Sequence, residues 1–190
     1  KHIVTTAIEH SAVLEPVKAL ERQGYEVTRL QPSPRGTIDP DQIAAALRPD
    51  TALVSIMLVN NELGTVLPVK EAAQAIKRTG CPALLHCDAV QGFLKVPFTP
   101  EGLGVDLLSV SGHKLHAPKG VGGLYIRKGL KLPPLIRGGG QEGGLRSGTE
   151  ATAQMAAFAA AARLGAASFS QDTAHMARLK AYTVEALARE

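Results

Sequence analysis

Short runs of apolar, largely β-branched residues recur along the chain, and between them apolar residues return every three or four positions. The first pattern predicts strands over residues 3–8, 26–30, 52–59, 83–87, 107–110 and 123–127. The second predicts helices over 11–23, 39–47 and 69–79. Ser11 reads as a start signal for the first helix, Gly24 and Gly80 as stops, and Asp39 ahead of Pro40 as the N-cap of the shorter one. Strands alternating with helices are the mark of βαβ units, and near-continuous apolar strands imply a sheet covered on both faces. The expected fold class is therefore α/β: a mostly parallel sheet with helices on both faces, a three-layer αβα sandwich.

Between 133 and 148 the composition shifts to glycine and proline, with six glycines in the span, so a long loop without regular elements is expected. Residues 151–164 and 171–189 are alanine-rich and helical, and lead away from the sheet. On this reading 1–165 is the central part of the sheet domain and 166–190 a helical segment leaving it. Both ends look like cuts in a longer protein, since Lys1-His2-Ile3-Val4 enters directly into a strand pattern and Ala186-Leu187-Ala188-Arg189-Glu190 stops inside a helical one.

Composition narrows the function classes. With 190 residues and 45% apolar content the chain is large enough for a sizeable core. Its net charge of +4, from 21 basic and 17 acidic residues, is spread without a basic run or interleaved aromatics, so no nucleic-acid partner is expected. No apolar run approaches the ~20 residues of a membrane span, and no membrane partner is expected. Two cysteines and no secretory leader pattern point to a reducing, cytoplasmic setting. Cys81, His86, Cys87, His113 and His116 lack zinc spacing, so no metal site is expected.

The stretch Ser109-Val110-Ser111-Gly112-His113-Lys114 sets a lysine just past an apolar strand among small and hydrogen-bonding residues. Such a lysine is either a solvated charge or an amine nucleophile. Ser111 and His113 offer donors to a phosphate, and Gly112 lets a ligand approach the backbone. Asp88 ends the apolar segment 82–87, where it either caps a turn or holds a pyridine nitrogen protonated, and Gln91 stands within reach of a ring hydroxyl. A Schiff-base lysine and such a carboxylate are the pair a pyridoxal phosphate (PLP) enzyme requires. His10, at a strand-to-helix turn, is either a cap or a flat base able to stack on an aromatic cofactor. Asn60-Asn61-Glu62-Leu63-Gly64 closes another strand in polar turn residues. The runs 138–144 and 120–123 fit no nucleotide-binding fingerprint. Arg146-Ser147-Gly148-Thr149 is placed either to bind an anion at a helix start or to cap the helix through Thr149.

Taken in order, Glu9-His10-Ser11, Val59-Asn60-Asn61-Glu62-Leu63-Gly64, His86-Cys87-Asp88-Ala89-Val90-Gln91, Ser111-Gly112-His113-Lys114 and Arg146-Ser147-Gly148-Thr149 closely resemble the NifS/IscS cysteine desulfurases. These are fold-type I PLP enzymes of the class V aminotransferase family, and the likeness runs from about residue 1 to residue 164. The Arg-Ser-Gly-Thr and Ser-Gly-His-Lys forms resemble that branch rather than the SufS and selenocysteine-lyase branch. The resemblance implies that the sheet is part of a PLP-dependent transferase large domain. It implies Lys114 as the cofactor lysine, His10 as the stacking and proton-shuttling histidine, Asp88 on the pyridine nitrogen and Gln91 on the ring hydroxyl. It also implies Asn61 near the substrate carboxylate, Ser111 and His113 on the phosphate, and Thr149 reaching the phosphate of the neighbouring subunit in a homodimer. The implied reaction takes L-cysteine to L-alanine and leaves sulfur on an enzyme cysteine as persulfide, for an iron–sulfur scaffold or another sulfur acceptor such as the tRNA thiolation pathway.

Two departures accompany the likeness. The family's sulfur-accepting cysteine and substrate-carboxylate arginine come later than Glu190, and neither Cys81 nor Cys87 stands in that cysteine's place, so the chain by itself is expected to be inactive. Ala117 stands where the family usually has glycine. Another class V substrate, such as that of an aminotransferase or a selenocysteine lyase, and a domain that only binds cofactor or scaffolds are the alternative readings.

Overall fold

The computed structural model describes residues 1–189. Its six strands, β1 (His2–Thr6), β2 (Glu26–Leu30), β3 (Thr51–Met57), β4 (Leu84–Asp88), β5 (Leu107–Ser111) and β6 (Gly122–Ile126), form one sheet in the order β2-β1-β3-β4-β5-β6. The first five are parallel and β6 pairs antiparallel with β5. Helices α1 (Ser11–Arg22), α2 (Pro40–Ala46), α3 (Val69–Thr79), the one-turn α4 (Pro100–Leu103) and α5 (Thr152–Leu187) connect and follow the strands. The α/β architecture expected from the alternating pattern is the one observed.

Local chemistry explains the element ends. Asp39 accepts from the backbone N–H of Asp41 at 2.9 Å and caps α2, with Pro40 in the first turn. Gly80 ends α3 in the left-handed conformation, φ 67°, which its missing Cβ permits without strain. At α1 the expected serine signal is displaced by one residue: His10 is the cap, its Nδ1 accepting from Ala12 N–H at 3.1 Å.

One face of the sheet carries the core. Val4, Val54, Ile56, Leu85, Cys87 and Leu108 alternate inward along four strands and meet Ile43 of α2 and Val69 and Ala72 of α3. The right-handed crossover rule puts α1 on the opposite side, because β2 lies to one side of β1 and the later strands to the other. Ile56 is fully buried. Ile56→Ala is expected to destabilise the chain by about 2–5 kcal/mol, seen as a lower urea midpoint at unchanged slope.

Two expectations are corrected. The helices expected over 151–164 and 171–189 are a single 36-residue helix, α5. A lone glycine costs about 1 kcal/mol in a helix, too little to break an alanine-rich run. The absent Cβ of Gly165 also makes room for Leu94, whose Cδ1 would lie 3.2 Å from it. The boundary read at 165/166 falls inside this helix, and Glu190 lies outside the described residues. In the glycine-rich span a short 3-10 turn does form over Gln141–Gly144, with Glu142 and Gly143 at positive φ, and Ile136 bridges to Arg146.

Candidate active site

The first connection leaves β1 toward β2 and the second returns past it to β3, so the chain reverses direction across the sheet between β1 and β3. Open α/β sheets hold ligands at the carboxyl ends of strands at such a reversal. His10 follows β1, Asn60 and Asn61 follow β3, Asp88 ends β4, and Ser111 ends β5 ahead of the 3-10 turn Gly112–Leu115 that carries Lys114. Residues far apart in sequence thus share one end of the sheet.

The cap at His10 fixes its chemistry. Because Nδ1 accepts a backbone N–H, the neutral ring carries its proton on Nε2, and the side chain is exposed. Capping and proton exchange, which sequence reading set against each other, are compatible on the two nitrogens.

Asn60, read only as part of a polar turn, is the fastening of the loop after β3. It is buried, its Nδ2 donates to Ile8 O at 2.9 Å, and its Oδ1 accepts from the N–H groups of Glu62 and Leu63. That ties the β3 loop to the β1 turn and leaves the exposed Asn61 beside Gln91 in a cavity of about 570 Å³.

Asp88 is only 8% exposed. Its Oδ1 accepts from Val90 N–H at 2.9 Å, which is the turn cap sequence reading allowed for. Its second oxygen makes no hydrogen bond among the described residues, and neighbouring backbone is pinned by Leu58 N–H to Asp88 O and Ala89 N–H to Ser109 O. On β5, Ser111 Oγ lies 2.7 Å from His113 Nδ1. A Cβ at Gly112 would sit tightly, 3.0 Å from Val121 Cγ1 and 3.2 Å from Ala117 Cβ. Lys114 is exposed toward a cavity of about 670 Å³ between this turn and α5, lined also by Lys95 and Leu94, within the size range of small-molecule sites.

Two titratable groups, the half-buried His86 and the buried Glu9, were given no role by sequence reading. His86 bridges Ser55 Oγ at 2.8 Å and Ser109 Oγ at 2.9 Å across β3, β4 and β5, and burial lowers its pKa, keeping the ring neutral in this ladder. Glu9, 5% exposed, accepts through Oε1 from Thr6 Oγ1 and Met57 N–H, while its buried Oε2 has no partner. Burial raises its pKa to about 7, against the pull of the Met57 and Thr6 hydrogen bonds, and nearby Asp88 adds to the rise. No periodicity marks a buried acid whose partner lies 48 residues away.

This shift has a consequence for stability. A carboxyl whose native pKa lies above its unfolded value adds stability below the unfolded value and loses it as pH rises through the native one. Stability is expected to fall between pH 4.5 and about 7, by roughly 3 kcal/mol from this group. Glu9→Gln keeps the Oε1 acceptor and does not titrate, so its urea midpoint should lose that part of the slope. Parallel profiles for the two proteins would rule Glu9 out as the group responsible.

The remaining candidates separate from this cluster. Thr149 lines another cavity, with Gly122, Gly123 and Arg146, and not the one at Lys114. The cap reading of Thr149 is overturned: Ala151 is the N-cap of α5 and provides no side-chain hydrogen bond. Cys87 is fully buried, and burial with Asp88 and Glu9 nearby pushes its thiol pKa far up. Cys81 precedes β4, at the opposite end of the strand from Asp88. Neither is an available nucleophile at the Lys114 end.

The donor set fits PLP. A mostly buried carboxylate with a spare oxygen suits a protonated pyridine nitrogen, an amide donor on Gln91 suits a ring oxygen, an exposed amine suits an aldehyde, and the Ser111–His113 pair suits a phosphate.

The aminotransferase class-V family model matches residues 1–189. The cysteine desulfurase IscS of Dictyoglomus turgidum is 45% identical over 184 residues, which is 97% of this chain and 46% of that protein. A solved NifS-like protein superposes with a TM-score of 0.96 at 43% identity, covering 100% of this chain and 52% of the other. A structure described as SspA in complex with cysteine gives a TM-score of 0.82 at 41% identity, covering 85% of this chain and 47% of the other. The chain thus spans about half the length of these relatives.

Proposed function

The chain belongs to the aminotransferase class-V family, and from that premise we propose that it forms the central, cofactor-binding part of a PLP-dependent cysteine desulfurase of the NifS/IscS branch. The observation that carries the reading is the gathering of Asp88, Gln91, Lys114 and the Ser111–His113 pair at the carboxyl ends of adjacent parallel strands. L-cysteine as substrate is supported by the desulfurase names of the relatives and by the bound cysteine of one of them.

PLP, when bound, supplies an electron sink for charge developing at the substrate Cα. The chain's residues divide the rest. Lys114 Nζ would hold the cofactor's aldehyde carbon and supply an amine able to take and return a proton. Asp88 would accept from a protonated ring nitrogen with its spare oxygen. Gln91 would donate to the ring oxygen, and Ser111 and His113 would donate to the phosphate. His10 would stack on the ring and present the proton on its Nε2 to the site. Asn61, held beside Gln91, faces the substrate carboxylate. Thr149, in its separate cavity, belongs in this reading to the neighbouring subunit's phosphate in a homodimer.

The buried Cys87 and the distant Cys81 leave sulfur acceptance to a cysteine other than these two. Delivery of that sulfur to an iron–sulfur scaffold or another acceptor, and a cytoplasmic setting, complete the proposal. The test is to add PLP, reduce with borohydride and map the adduct by mass spectrometry. A pyridoxyl group mainly on Lys114 supports the reading, and scattered or absent labelling overturns it.

A further inference from the structure

A lysine that neither the strand pattern nor the family likeness singled out lies between the two cavities of the site. Lys95 lines both the cavity that exposes Lys114 and the one that holds Asn61 and Gln91. Its Nζ donates to Gln91 Oε1 at 3.1 Å. It forms no ion pair among the described residues. A half-buried ammonium without a carboxylate is an uncommon arrangement away from a site for anions.

The backbone holds Lys95 there. Phe93 N–H donates to Ala89 O, and the N–H groups of Lys95 and Val96 both donate to Gly92 O, so the turn after Asp88 is closed by its own hydrogen bonds. Leu94 takes a φ of 57°, a region a leucine occupies only when its surroundings insist. Those surroundings are at Gly165 of α5, where the missing Cβ admits the Leu94 side chain. The long helix thereby fixes the residue before Lys95.

The consequence for Gln91 follows from donor and acceptor inventory. An ammonium has three donors and no acceptor, so a glutamine amide facing it must present its oxygen. The amide nitrogen is then turned away from Lys95 and can only donate. Without the ammonium the amide is free to flip and to present an acceptor to the same ligand atom. Burial, and then the Lys114 ammonium nearby, lower the Lys95 pKa. An anionic oxygen entering the site relieves that crowding of positive charge.

We propose that Lys95 is a positioning residue of the cofactor site: it locks the Gln91 amide as a donor toward the ring oxygen of PLP and so favours the ionised form of that oxygen. This rests on the PLP reading given above. It makes Lys95 a determinant of the ionisation state of the bound ring, acting through Gln91 rather than by contact with the reacting atoms.

The experiment uses the 190-residue chain with added PLP and reads two quantities. One is the PLP dissociation constant. The other is the ratio of long- to short-wavelength cofactor absorbance at one fixed pH, which reports the ionised against the neutral ring oxygen. Lys95→Met should lower that ratio about three- to tenfold, the size of half to one pKa unit. Lys95→Arg, which keeps charge and donors, should restore most of it. In a Gln91→Leu background the same change at Lys95 should have little further effect, because the intermediary is gone. Should Lys95→Met fail to fold, Lys95→Gln removes the charge with a polar end retained and reads the same ratio.

An unchanged ratio in the uncharged variants overturns the role of Lys95 while leaving the cofactor site standing. So does an undiminished effect of Lys95 in the Gln91→Leu background. Absence of any bound chromophore in the unaltered chain overturns the cofactor site itself, and the role of Lys95 with it.

Discussion

Lys114→Ala is expected to abolish the site-specific pyridoxyl adduct after borohydride reduction. Lys114 is exposed to its cavity, on a turn anchored by Gly112 N–H to Val121 O and Ala117 N–H to Gly112 O. Lys95 is the other amine in the same cavity, and its lowered pKa makes it the residue on which stray label should be sought. Peptide mapping therefore has a built-in control. Label confined to Lys114 in the unaltered chain and lost in the variant supports the assignment, whereas equal label on both lysines, or label retained on Lys95 in the variant, contradicts it. In a full-length desulfurase the same change should lower turnover by about 10²–10⁴-fold through the lost proton transfer alone.

Asp88→Asn is the second large effect. The substitution keeps an Oδ1 to accept from Val90 N–H, so the turn cap survives, while the charge and the spare oxygen's acceptor character are lost. A charge-assisted bond in a mostly buried position is worth 2 kcal/mol or more when one partner is removed, so PLP binding should weaken by about thirtyfold or more. Thermal stability of the chain without cofactor should change little. Unchanged PLP affinity, measured by absorbance titration, would return Asp88 to the role of a turn cap.

The candidate site was legible in the sequence to the extent that its parts are local. Asp88 could be placed at a strand end because the apolar segment before it is short and bounded, and Lys114 because Gly112 and the small residues around it break the strand pattern. Lys95 and Glu9 were not legible. Each sits in a segment whose polar residues look like ordinary turn residues. Their character comes from what packs on them: Gly165 of α5 against the turn of Lys95, and β3 against Glu9.

By itself the sequence determined the alternation of strands and helices, the cap at Asp39, the stop at Gly80 and the order of the site motifs. These depend on hydrogen bonds and side-chain periodicity within a few residues, which the chain carries wherever it goes. Tertiary structure decided the reversal between β1 and β3. It also decided the unpartnered oxygen of Glu9 and the hold of Lys95 on Gln91. Each of these depends on which distant surface excludes water from a group, and that is settled only when the sheet and helices have docked.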